Sequence, residues 1–231
     1  MVRVAQAALN PMRSALELPA AWARPTPPPG LVPENLQVVL DEHVPVFSIG
    51  LGNPGSDLIT ACHHRGMKAI AMVTTIEDAR TIEVMGADSV VPQCGDAGGH
   101  RSQFEKPAAA EGGTIGTVAL VPAMVDGVRL PGIAAGGLAD GSGPLPALAL
   151  GASGVLLRTR FIATRQSLAA EMYKEALLER SGDATTRTDA FSGRAARALS
   201  NAFSDAHAQA GAPVVPFFWR LSAASDIYQA A

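Results

Sequence analysis

Short apolar runs alternate with helically spaced segments along most of the chain. "VPVFSIG" (44–50) is an apolar run stopped by glycine, which suits a buried strand. "DLITACHHRG" (57–66) follows with helical spacing and a terminal glycine. "KAIAMV" (68–73) is a second strand, and "TIEDARTIEVMG" (75–86) is a helix with Thr75 as its N-cap and Gly86 as its stop. The alternation continues through a strand in "DSVVPQ", a helix in "VALVPAMVDGV", a strand in "LPGIAAGG", a short helix in "GPLPALALG" and a strand in "SGVLLRTRF". Two longer helices are predicted after the last strand, over 167–180 and 193–210. Five apolar strands separated by helices are the mark of parallel βαβ units, so the fold class is α/β.

Residues 1–30 end in "RPTPPPG", which cannot sit inside a helix or a central strand. That proline-rich segment reads as a linker or surface excursion, with the (β/α) domain expected over 31–231. Length and composition agree with one packed domain: 231 residues, 48% hydrophobic, only 17% charged and 5% aromatic. A net charge of −3 leaves no basic footprint for nucleic acid. No apolar run reaches the length of a membrane span. Cys62 and Cys94 are too few and too far apart for a disulfide framework or a metal site. Arg3, Arg13 and Arg24 with "AWA" at 21–23 imitate a targeting peptide, but the apolar residues before Pro19 are scattered. The expected compartment is therefore the reducing cytoplasm, and no metal is expected.

Polar and glycine-rich stretches fall just after the predicted strands: "IGLGNPG", "MVTT", "PQCGDAGGH", "AAGG" and "RTRF". In parallel α/β folds the carboxyl ends of the strands form the ligand face. In "QCGDAGGHRS" (93–102), Gly98 and Gly99 let the backbone approach a ligand, and His100 is a candidate acid or base. Gln93 can both donate and accept, which suits the edge of a heteroaromatic ring. Asp96 is expected to order the loop. Gly136 and Gly137 after one strand, and Thr159 at the end of the next, are the ingredients of a phosphate site. The plainer reading, that the glycines only make a tight turn, stays open. His63 and His64 point about 100° apart on a helix and read as surface residues. Arg187, Arg194, Arg197 and Lys174 read as a charged face of the terminal helices.

With "VTTIEDA", "GADSVVPQCGDAGGHRS", "IGTVALVPAMVD", "IAAGGLADG", "ALALGASGVLLRTRFIAT" and "TDAFSGRAARALSNAF" in this order, residues 44–203 resemble the nitronate monooxygenase family. The resemblance implies a TIM-barrel flavoenzyme that uses FMN and O2 to oxidise alkyl nitronates, such as propionate 3-nitronate, to carbonyl compounds and nitrite. It gives His100 the role of catalytic base or substrate contact. It places Gln93, Gly98 and Gly99 beside the flavin. The phosphate would lie at Gly136, Gly137 and the segment Leu156, Leu157, Arg158 and Thr159.

The chain departs from the family pattern at several of these positions. Arg158 stands where the family has glycine before the phosphate-binding threonine, and its side chain is expected either to block the phosphate, the favoured outcome, or to bind it through the guanidinium. Cys94 replaces a glycine, and Asp96 a glutamate. Residues 1–30 do not resemble the family's first three strands, so an incomplete barrel lacking about those three is expected. Its open strand edges would invite pairing with a second copy. Two alternatives follow: a non-catalytic flavin-binding remnant, and an FMN-dependent enoyl-thioester reductase of the same fold.

Overall fold

The computed structural model describes residues 2–26, 30, 32–104, 113–211 and 217–230. Pro27, Pro28 and Pro29 of the proline-rich stretch lie outside the described residues. The chain divides into two compact units, one built on residues 31–182 and the other on 1–30 with 183–231. Helix α1 (Val2–Ala15) belongs to the second unit.

The first unit starts with α2 (Val32–Asp41) and β1 (Val46–Ile49), followed by α3 (Ser56–His63), β2 (Lys68–Val73), α4 (Ile76–Val84) and β3 (Ser89–Pro92). A two-residue strand β4 (Gly99–His100) lies in the loop before α5 (Thr117–Gly127). Then come β5 (Ile133–Ala135), α6 (Pro144–Ala149), β6 (Gly154–Leu156), α7 (Thr159–Ile162) and α8 (Glu171–Glu179). All five strands expected from the apolar runs are present. β1, β2 and β3 pair in parallel, with Val46 opposite Lys68 and Ile70 opposite Ser89. Parallel bridges at Val90–Gly132 and Gln93–Ala135 carry the order on to β5, which pairs in parallel with β6. The strands thus follow one another in chain order, as in the wall of a (β/α) barrel. Among the described residues no strand pairs with the outer edge of β1 or β6.

The burial pattern explains this arrangement. β2 alternates, with Ala69, Ala71 and Val73 fully buried, while all four residues of β3 are buried. A strand buried on both faces reads as a continuous apolar run, as β3 does. Ile59 and Cys62 from α3, Ile82 from α4 and Leu120, Val121 and Met124 from α5 cover the strands. Small alanines at the contacts let helices and strands approach closely, which accounts for a core with few aromatic residues.

Local signals hold up well at α4. The Thr75 side chain accepts a hydrogen bond from the Asp78 N–H at 3.1 Å, and Gly86 takes φ 89° beyond the helix. Next to it, Asp88 ties β2 to β3. Its carboxylate accepts from the Ala69 N–H at 2.8 Å, Lys68 Nζ at 2.7 Å and His63 Nε2 at 2.8 Å. His63 and His64 are both exposed, as expected of surface residues, and His63 in addition anchors the Asp88 carboxylate.

The second unit differs from the sequence expectation in two places. First, residues 2–15 form a helix in the stretch read as a linker or excursion. Ala5, Leu9 and Arg13 recur every four residues and form its buried stripe. Leu9 packs into a cluster with Ala190, Phe203, Ala223, Ala224 and Ile227. Second, the helix expected over 193–210 covers only its second half. β7 (Thr185–Thr188) and β8 (Ala196–Leu199) pair antiparallel, with Thr185 opposite Leu199. α9 (Ala202–Ala210) begins only after a capping box in which Asn201 and Ser204 each satisfy the other's backbone N–H. The alanine- and arginine-rich stretch 193–199 has helical propensity, but pairing with the β-branched strand β7 overrides it. Arg187 and Arg197 accordingly lie on strands and Arg194 in the turn between them, while Lys174 is buried on α8 against Glu171. α10 (Phe217–Ala223) and α11 (Ser225–Ala230) complete the unit.

Arg13 is 1% exposed and holds α1 to α11. It donates to Asp226 at 2.7 Å, to Gln6 at 2.9 Å and to the Ala223 carbonyl. No helix among the described residues is long and apolar enough to cross a membrane.

Candidate functional site

The loop after β3 is folded back on itself by Gln93. This residue ends the strand, donating its N–H to the Val73 carbonyl at 2.8 Å, and is 5% exposed. Its Nε2 donates to the His100 carbonyl at 2.7 Å, and its Oε1 accepts the Ser102 N–H at 2.8 Å. Expected as a ring contact, Gln93 is first a clamp on the loop. The second Nε2 hydrogen is what it has left for a ligand. Ser102 is anchored in turn by its hydroxyl, which donates to the Met72 carbonyl at 2.7 Å. The His100 side chain, carried between these two fixed points, is half-buried.

Asp96 orders the loop, as expected. Its Oδ2 accepts from the Thr117 N–H at 2.9 Å, at the first turn of α5, where the helix dipole favours a carboxylate. The Thr117 hydroxyl lies 3.0 Å from that oxygen and 2.9 Å from the Gly136 carbonyl, so its single proton can serve either. Cys94 is fully buried, and burial is the chief reason its thiol is pushed above the usual range.

The glycines bring three strand ends together. Gly136 takes φ 125°, and a side chain there would come within 2.8 Å of the Ala97 nitrogen. Gly137, at φ 67°, would place one 3.1 Å from Asp96 Cβ. The Ala97 backbone packs directly against Gly136, and the Asp96 side chain against Gly137, so both positions have a local packing reason to be glycine. Gly98 faces the end of β6, with its missing Cβ 3.6 Å from Thr159 Oγ1. Gly99 takes φ 84°.

Residues 93–100, Gly136, Gly137 and Thr159 therefore converge at the carboxyl ends of β3, β5 and β6. Leu156 and Leu157 are half-buried behind them, and the Arg158 and Thr159 side chains are exposed. Leu157 and Arg158 also line an open cleft of about 400 Å³ with Phe161, Thr164 and Gln166. A separate space of about 670 Å³ lies at Asn53, Thr75, Glu77 and Gln103. His100 lines neither of them.

A phosphate-bearing flavin fits this donor set. A threonine hydroxyl and a guanidinium stand exposed at the end of β6, beside a loop whose glycines allow close approach. Two contributors were not singled out from the sequence, Thr117 and Arg101. Arg101 is 3% exposed and bonded to loop carbonyls. Its position directly after the candidate histidine was the only available signal. Among the described residues no group of three or more His, Cys, Asp or Glu is placed to hold a metal.

Residues 5–230 match the nitronate monooxygenase family. The chain is 36% identical over 175 residues to a probable nitronate monooxygenase of Staphylococcus aureus strain JH9, covering 76% of this chain and 49% of the relative. Nitroalkane oxidase from Streptomyces ansochromogenes superposes with a TM-score of 0.87 at 32% identity, over 100% of this chain and 65% of that one. FabK from Thermotoga maritima gives a TM-score of 0.67 at 35% identity, covering 76% of this chain and 52% of its own. The fold is that of TIM-barrel (β/α) flavoenzymes. The chain belongs to the nitronate monooxygenase family, a family of oxidoreductases. The match reaches beyond residues 44–203 at both ends. The chain spans about half the length of the curated relatives it matches.

Proposed function

We propose that this chain acts as an FMN-dependent oxidoreductase that oxidises alkyl nitronates, propionate 3-nitronate among them, with O2 to carbonyl compounds and nitrite. The observation that carries the reading is the placement of His100. In a chain of this family, its backbone is held at the carboxyl end of β3: the His100 carbonyl accepts from Gln93 Nε2, and Ser102, two residues on, is bonded to Gln93 and to the Met72 carbonyl. His100 is the base or the polar contact for the anionic nitro group. Gln93 offers its remaining amide hydrogen to the ring edge, and Gly98 and Gly99 let the backbone lie close to it. Arg158 and Thr159 take the phosphate, with Gly136 and Gly137 shaping the loop behind it. Bound flavin supplies the electron transfer between substrate and O2. Two free buried thiols, Cys62 and Cys94, suit a reducing cytoplasm. No nucleic-acid partner is proposed, and pairing of the open edges of β1 and β6 with a second copy is part of the reading.

The test is direct. Purified protein mixed with FMN is expected to turn yellow, to elute with the flavin, and to consume O2 when propionate 3-nitronate is added. His100→Asn is expected to keep the flavin and lose about 10²–10⁴-fold in turnover, the usual worth of a positioned acid or base. A folded protein that takes up no FMN overturns the reading; one that binds FMN but turns over no nitronate selects the non-catalytic flavin-binding remnant. The likeness to FabK favours one further reading, an enoyl-thioester reductase. Flavin reduction by NADH with consumption of an enoyl thioester, and no nitronate turnover, would select it.

A further inference from the structure

Arg101 follows the candidate histidine, yet its side chain is turned inward and is 3% exposed. Its Nη1 donates to the Cys94 carbonyl at 2.9 Å. Its Nη2 donates to the Ala97 carbonyl at 2.5 Å and lies 3.4 Å from the Gly99 carbonyl. One guanidinium thus gathers three carbonyls from a loop of six residues. A buried cation is tolerated only where such bonds replace water, and the planar fork of arginine supplies several at once, where a lysine ammonium acts from a single point.

The geometry has a consequence for the ligand face. In a trans peptide the N–H of the following residue points opposite to the carbonyl. Drawing the Cys94, Ala97 and Gly99 carbonyls towards Arg101 turns the N–H groups of Gly95, Gly98 and His100 away from it. The Gly95 N–H does reach outward, to the Ile115 carbonyl at 2.6 Å. Gly98, whose N–H follows the Ala97 carbonyl, is itself close to Thr159, with a Cβ built there 3.6 Å from Thr159 Oγ1. A charged donor on the carbonyl side also polarises the peptide, strengthening the outward N–H.

We infer that Arg101 is the positioning residue of this site: it fixes the 94–99 loop from beneath, so that the Gly98 amide and the His100 imidazole are held towards the ligand. The role in turnover rests on the proposed function; the role in holding the loop does not.

Cys94 provides a readout that needs no flavin. It is fully buried, and its own carbonyl is one of the three that Arg101 holds. In a Cys62→Ala background, Arg101→Met is expected to raise the rate of Cys94 modification by a water-soluble aromatic disulfide at least tenfold, and Arg101→Lys to give an intermediate rise. In a Cys94→Ala background, Cys62 is expected to stay protected in the Arg101→Lys protein. If Arg101→Met does not fold, the lysine variant decides. Cys94 as protected in Arg101→Lys as in the parent overturns the inference. So does Cys62 becoming reactive in parallel, because the arginine would then support the fold in general. With FMN and nitronate, Arg101→Lys is expected to lose tenfold or more in kcat with its thermal midpoint little changed; unchanged kcat overturns the inference. A parent chain without turnover would instead overturn the proposed function, and the thiol result would still decide the placement of the loop.

Discussion

Asp88 shows how a single side chain couples stability to pH. Burial raises the pKa of its carboxyl, but hydrogen bonds from Lys68, the Ala69 N–H and His63 outweigh it and bring the pKa to about 2, below the ordinary 3.8. A carboxylate lowered in this way stabilises the fold above its unfolded pKa, and the contribution is lost as pH falls through about 2. Asp88→Asn is expected to cost about 1–2 kcal/mol at pH 7, allowing for partial screening. The urea midpoints of variant and parent should converge as the pH approaches 2. A difference that persists undiminished there would show that shape rather than charge holds the joint. Gly136 is constrained through its backbone. Gly136→Ala combines a left-handed φ of 125° with a 2.8 Å approach to the Ala97 nitrogen, and is expected to cost about 2–4 kcal/mol. Thermal unfolding measures the loss. Gln93 shows the limit of reading at this scale. An amide after a strand was visible in the sequence; its commitment to His100 and Ser102 was not, because those bonds depend on how the loop folds back.

At the scale of elements, what succeeded and what failed have the same physical basis. α4 was legible to the residue because its cap, Thr75, and its stop, Gly86, act within the helix itself. The five parallel strands were legible because each is a short apolar run bounded by glycine or turn residues; β3 alone is buried at all four positions. β8 was not, since Ala196, Arg197, Ala198 and Leu199 carry no local strand signal and are extended by strand pairing, as in the antiparallel register with β7. The helix that follows starts at its capping box. Asn201→Ala is expected to cost about 1 kcal/mol and to fray the first turn of α9, which amide exchange at Ser204 would report as faster opening. Unchanged exchange would mean that packing of Phe203, not the cap, holds that turn.

In the molecule as a whole, the second unit ties α1 to a segment about 210 residues later. Arg13→Met leaves Asp226, Gln6 and the Ala223 carbonyl without their shared donor. A loss of about 2–3 kcal/mol is expected, less than for a fully enclosed pair because Asp226 is partly exposed. Limited proteolysis should then cut residues 2–26 and 217–230 before the parallel strands of the other unit. Simultaneous cleavage of both units would contradict that localisation.

The sequence by itself determined the alternation of strand and helix, the glycine-rich strand ends, the loop carrying His100 and the family the chain resembles. These depend on periodicity, caps and motifs, which act over a few residues. Tertiary structure alone decided that residues 2–15 are a helix, that 196–199 are a strand, and that Gln93 and Arg101 face the loop rather than the solvent. Each of those outcomes depends on a partner distant in sequence or on a loop closing over itself, and no local pattern of side chains encodes which partner that will be.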